Sequence, residues 1–161
     1  MTGGFDSKKD LIWFLILVAG LLVGGFACAD TADELLPLII LAESSGREQV
    51  ISADGGYGLC QITAPLLTDY NRVNKTAYTL NDMLSADLNK KVALWYLRWL
   101  NSYLTKYGYP NDSLRILVCY NWGVGNLKRN DFRVPDWFMR HPNKVYMSFY
   151  KYELMRRKSL P

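Results

Sequence analysis

Runs of apolar residues alternate along this chain with short, glycine-rich polar stretches. The first run, Leu11–Ala29, is interrupted only by glycines and a cysteine. Lys8-Lys9 stand before it, and Ala27-Cys28-Ala29 closes it ahead of Asp30. A positive flank, an apolar core and an A-x-A site predict a secretory signal peptide over residues 1–29. The run is also long enough to serve as an uncleaved membrane anchor helix. The second run, Leu35–Ala42, is unbroken apolar residue and ends on a carboxylate, Glu43, followed by Ser44-Ser45-Gly46. A helix without a polar face is expected to be buried on all sides. Pro37 suits such a helix only near its beginning, so a start at about Asp33 or Glu34 is predicted. Gly46 suits its end. Thr63-Ala64-Pro65 predicts the cap and first turn of a short helix reaching about Tyr70. Ser85–Tyr107 interleaves Val92, Leu94, Leu97, Leu100 and Leu104 with Asn89, Lys90, Lys91 and Arg98, the pattern of a long amphipathic helix. Trp95 and Trp99 are read with its core face, and Gly108 stops it. Asn111-Asp112-Ser113 caps a helix from Leu114 to about Trp122, closed by Gly123 and Gly125. Pro135-Asp136 and His141-Pro142 open two last helical pieces, the second aromatic-rich from Asn143 to about Arg157. The expected fold class is therefore mainly α.

Setting residues 1–29 aside leaves 30–161 of the 161-residue chain as a single domain. The formal charge of +4 is unevenly placed, with its excess in the stretch from Leu127 to Pro161. A basic end suits an anionic polymer or surface, and equally a solvated helix face. The single histidine, His141, and the scattered Cys28, Cys60 and Cys119 give no metal-ligand spacing, so neither metal nor cofactor is expected. There is no nucleophile motif near His141 for a Ser-His-Asp site. Glu43 stands out instead. Loss of water and the negative end of its helix both disfavour its charged form, which raises its pKa toward what a general acid needs.

Four stretches stand in order: Glu43-Ser44-Ser45, Gly58-Leu59-Cys60-Gln61-Ile62, Tyr120-Asn121-Trp122-Gly123, and Tyr146 in the last helix. The set resembles the lytic transglycosylases of the SLT-domain family, in the lysozyme-like superfamily. That family carries E-S, G-L-M-Q, A-Y-N-A-G and a late Tyr in this order, and Asn89 and Tyr96-Leu97 match its middle-helix pattern. Two positions depart from it: Cys60 replaces the usual Met, and Trp122 replaces a small residue, setting a large ring near the expected cleft. The resemblance implies a lysozyme-like fold with a glycan groove between helices. It implies Glu43 as the single catalytic acid and then base. Ser44 or Ser45 would orient it or touch substrate, while Gln61, Tyr120 and Asn121 line the cleft and Tyr146 holds the Glu43 carboxyl.

The implied partner is the peptidoglycan glycan strand, not nucleic acid. The implied place is outside the cytoplasm: periplasmic, or anchored in the inner membrane and facing the periplasm. Action alone or within a larger assembly, a secretion machine or a virion, fits equally. One carboxylate suffices for a transglycosylase, because the substrate's own N-acetyl group and C6 hydroxyl do the work of a second. A hydrolysing muramidase of goose-type-lysozyme character would need Asp54 as well, and an inactive glycan-binding protein would need neither. Asp54 itself reads as a turn residue before Gly55. Cys60 and Cys119 flank motifs that converge in the family fold. They are expected as small buried hydrophobes, with a disulfide as the alternative.

Overall fold

The structure, a computed structural model, describes residues 30–140. The leader over 1–29, the start at His141-Pro142 and the aromatic stretch Asn143–Arg157 with Tyr146 lie outside the described residues. Those described form α1 (Thr31–Ser44), α2 (Ala64–Asn74), a 3₁₀ turn (Asn81–Leu84), α3 (Ala86–Thr105), α4 (Ser113–Trp122), α5 (Val124–Arg129) and α6 (Asp136–Arg140). Extended pairing among them is confined to isolated bridges, Ile51 with Tyr57 and Tyr57 with Ile62. The architecture is mainly α, as the patterning implies.

α3 is the element the others pack on: α1, α2, α4 and the 3₁₀ turn all meet it. Val92, Ala93, Leu97, Leu100 and Leu104 share one of its faces and are fully buried. α1 lays Leu35, Leu38, Ile39 and Ala42 into the same core. Each large aliphatic side chain buried in this way stabilises the fold by about 1.5–3 kcal/mol. Across the surface the Asp33 carboxylate meets Arg98 at 3.1 Å, pinning α1 to α3.

Several elements differ from what the pattern predicts. α1 is not buried on all sides: Leu41 is 53% exposed and Pro37 is exposed too. It lies at the edge of the bundle, so only one stripe of it meets other helices. The enclosed helix is α4, where Ile116, Leu117, Val118 and Cys119 are consecutive and fully buried. α1 also begins earlier, at Thr31, and takes Pro37 into its interior. The helical bond that Pro37 cannot make falls between two exposed residues, Asp33 and Pro37, rather than in the core. α2 runs past Tyr70 to Asn74 and ends where Lys75 takes a left-handed conformation and its N–H bonds Asn71 O. Beyond Trp122 only Gly123, at φ +92°, breaks the helix, and Gly125 lies within the short α5 that follows at once.

Candidate active site

Glu43 occupies the last turn of α1 and is half-buried. The chain turns sharply just behind it. Ser45 at φ +55° and Gly46 at φ +82° are both left-handed, and their N–H groups bond Leu41 O and Ile40 O. A first left-handed serine, not the glycine alone, therefore ends the helix. Ser44 is buried and its hydroxyl donates to Ile40 O at 3.2 Å, one turn back in its own helix. Ser45 is exposed on the turn. Of the two, Ser44 is occupied structurally.

The glycine-rich loop folds as a pair of tight reversals. Tyr57 exchanges both backbone hydrogen bonds with Ile62, at 3.0 and 2.9 Å, while Gly58 N–H reaches Val50 O at 2.8 Å. Gly58 is required here. It sits at φ +70°, and a Cβ would come within 2.2 Å of Met83 O and 2.4 Å of Asn89 Nδ2. Gln61 is left-handed at φ +52°, and its Nε2 donates to Gly58 O at 2.8 Å and Val50 O at 3.2 Å. Its amide nitrogen thus braces the loop, and its carbonyl oxygen faces Gly56, where no side chain stands. Asp54 is exposed in the turn ahead of Gly55, as read from the sequence.

Asn89 of α3 anchors this loop from beneath. It is fully buried; its Oδ1 accepts from Cys60 N–H at 2.8 Å, and its Nδ2 donates to Tyr57 O and Met83 O at 2.8 and 2.7 Å. From the other side the Tyr120 hydroxyl donates to Cys60 O at 2.8 Å. Both backbone groups of Cys60 are therefore held by side chains from α3 and α4.

Electrostatics bring Glu43 to the same place. Burial pushes the Cys60 thiol up to about 12, and the charge of Glu43 adds to the rise. The Tyr120 hydroxyl is held well above its ordinary value first by burial, then by Cys60 and Glu43. Glu43, the Cys60 loop and Tyr120 accordingly share one electrostatic neighbourhood. Tyr96 joins it, its ring 5.6 Å from that of Tyr120, with burial pushing its hydroxyl to about 12. Asn121, one residue on, is exposed at the end of α4. Trp122 turns its ring edge-on to Trp137 of α6, 5.6 Å away. Tyr146 lies outside the described residues.

Beside Tyr96 a pocket of about 130 Å³ opens between α2 and α3. Trp95 and Trp99 line it with Leu66, Val73 and Val124, and Asp69 and Arg72 form its polar edge. This corrects the core assignment of Trp99, which is 40% exposed, while Trp95 is half-buried and packs against the core. The Leu residues at 97, 100 and 104 already fill the core stripe, which leaves the rings at its boundary.

The arrangement offers one half-buried carboxylate at the end of α1, near a hydrogen-bonded loop and the Tyr120 phenol. A family model, the transglycosylase SLT domain, matches residues 29–136. The chain belongs to this family. No curated protein and no solved structure matches the chain. The SLT match runs from just before α1 to the start of α6, so it takes in Glu43, the Gly58–Ile62 loop, Tyr120 and Asn121. Membership supports a lytic-transglycosylase-type action on peptidoglycan. Within the SLT domain, Asn89 is the loop-anchoring residue that sequence reasoning undervalued. Its signal was available: it stands three and four positions before Val92 and Ala93, in register with the core stripe, where an amide must find partners.

Proposed function

We propose that this SLT domain cleaves the β-1,4 bond between MurNAc and GlcNAc in peptidoglycan, with Glu43 as the sole catalytic carboxyl. The observation that carries the reading is the half-buried carboxylate at the end of α1, close enough to the Cys60 loop and Tyr120 for its charge to act on both. Glu43 in its acid form gives its proton to the glycosidic oxygen as the bond to the anomeric carbon breaks. The substrate's N-acetyl oxygen stabilises the positive carbon that results. Glu43, now a carboxylate, takes the proton of the C6 hydroxyl as that oxygen closes on the anomeric carbon. The acid is regenerated, no water is consumed, and the product carries a 1,6-anhydro end. Gln61, Tyr120 and Asn121 shape the cleft; Tyr120, whose proton is committed to Cys60 O, offers its oxygen lone pairs rather than a free O–H. The exposed turn position of Asp54 favours this single-carboxylate route over hydrolysis.

The reaction belongs on the periplasmic side of the inner membrane, with residues 1–29 as the leader or anchor that takes the domain there. A fusion of residues 1–40 to a reporter active only outside the cytoplasm checks this; an intact but silent fusion would sink it.

Glu43→Gln keeps the shape and removes the proton donor and acceptor. Cleavage of purified peptidoglycan is expected to fall by at least ~100-fold. Asp54→Asn is expected to keep most activity. Mass spectrometry of the wild-type fragments should find anhydro ends, lighter by one water than hydrolysed ends. Reducing ends alone would reassign the chain as a muramidase, and undiminished cleavage by Glu43→Gln would remove Glu43 from the chemistry.

A further inference from the structure

We propose that an aromatic ladder starting at Tyr96, beside the Glu43 neighbourhood, and running through Trp99 and Tyr103 of α3 to Tyr107 just past its end is a track that leads the glycan strand away from Glu43. The inference rests on the reading of this domain as a glycan-acting SLT enzyme and extends it to residues the chemistry does not use.

Tyr96, Trp99 and Tyr103 stand at i, i+3 and i+7, on one face of α3, and Tyr107 follows in the turn past its last residue, Thr105. Tyr96 and Trp99 lie 5.8 Å apart, centroid to centroid, with planes 10° from parallel. Trp99 and Tyr103 follow at 5.3 Å and 26°, and Tyr103 and Tyr107 at 5.1 Å and 43°. At a rise of ~1.5 Å per residue the helical part, Tyr96 to Tyr103, covers about 10 Å, and Tyr107 adds one further ring step. Two of its members are open to solvent, Trp99 at 40% and Tyr107 at 42%, while Tyr96 and Tyr103 are half-buried.

Its two ends point to the occupant. One end is continuous with the candidate active site, since the Tyr96 ring meets that of Tyr120, which holds Cys60. The other end is cationic, with Lys128 Nζ 5.5 Å from the Tyr107 ring centroid. A pyranose presents C–H groups on its face and hydroxyls around its rim. Rings stacked in this way turn their faces to one another, so what the row offers a sugar is ring edges and, on three of them, phenol tips, which suit the hydroxyl-bearing rim. The steps between rings are close to the length of one sugar in a β-1,4 chain. Beside Trp99 the paired Asp69 and Arg72 offer an acceptor and donors for rim hydroxyls. The ammonium at the far end complements the carboxylates that peptidoglycan carries on its stem peptides. A protein partner would want roughly 800 Å² of surface on each side, which a stripe one ring wide does not supply.

Chitobiose and chitohexaose, titrated into the full chain carrying Glu43→Gln, separate the track from the cleft. The longer sugar is expected to bind at least ~10-fold more tightly. Trp99→Ala and Tyr103→Ala should each weaken chitohexaose by ~2- to 10-fold, the worth of one aromatic contact, and leave chitobiose within about twofold. Trp99→Phe should restore most of the loss, and the thermal midpoints should match the parent's. Equal weakening of both sugars, or no preference for the longer one in the parent, would overturn the track. So would a Trp99-dependent dimer in sedimentation with sugar binding unmoved, because a second copy would then own the face. Anhydro products without a length preference would leave the enzyme reading standing and remove this one; a Trp99-dependent length preference in a chain that cleaves nothing would do the reverse.

Discussion

Asn89 has no exposed surface, and its one side-chain amide serves backbone groups of Cys60, Tyr57 and Met83. Buried polar groups left without a partner cost about 1–3 kcal/mol each, more than the bond itself contributes. Asn89→Ala should therefore destabilise the domain by about 3 kcal/mol or more. It should also loosen the Gly58–Ile62 loop, so that cleavage falls further than the folded fraction does. Urea unfolding alongside a cleavage assay checks both; a loss under ~1 kcal/mol would show that water replaces the amide. At this scale the sequence was informative about residue type and poor about commitment. Glu43 and Tyr120 stood out as candidates, and in the structure the Glu43 charge acts on the buried Tyr120 hydroxyl. That Ser44 bonds back to Ile40 O, or that Gln61 Nε2 braces its own loop, depends on where α1 ends and how the loop closes, and local sequence carries neither.

Helix beginnings marked by a side chain were the most legible elements. Asn111-Asp112-Ser113 announces α4, and Asp112 does accept from Arg115 N–H at 2.9 Å. The same carboxylate pairs with the Arg115 guanidinium, whose Nε donates to Phe132 O at 2.8 Å and whose plane lies 4.2 Å over Tyr109. Asp112→Ala thus removes a cap and releases a clamp between α4 and the turn at Phe132. A loss of about 1–2 kcal/mol is expected, read as a lowered melting temperature. Asp112→Asn should recover most of it, because the cap accepts through an oxygen either way; equal loss in both variants would assign the effect to the ion pair. Helix ends and faces were less legible. α2 outruns its pattern because its stop is a left-handed Lys75, a residue with no breaker signature. α1 tolerates Pro37 because the missing bond of this edge helix falls between exposed residues. Trp95 and Trp99 look like core by hydropathy, but periodicity cannot tell a core stripe from the boundary beside it.

Over the whole molecule, α4 and the site loop deliver Cys119 and Cys60 into one continuous core as free thiols, the small-hydrophobe role expected for them. Burial pushes both thiols up from an ordinary 9.0 to about 12. The consequence for stability has a definite sign. Between the two values the unfolded chain has lost these protons and the folded chain has kept them, so stability falls as pH rises. The contribution is fully present below about 9 and is lost progressively toward 12. Tyr96 and Tyr120 are raised by burial as well, but from 10.0, so they act only above that pH. The interval from pH 9 to 10 therefore reads the thiols. Urea midpoints of the wild type should decline across it. Cys60→Ala/Cys119→Ala should start lower at neutral pH, from the cavities it opens, yet decline less across that interval. A double variant that declines as steeply as the wild type would show that some other group, and not the buried thiols, sets the alkaline limit of this fold.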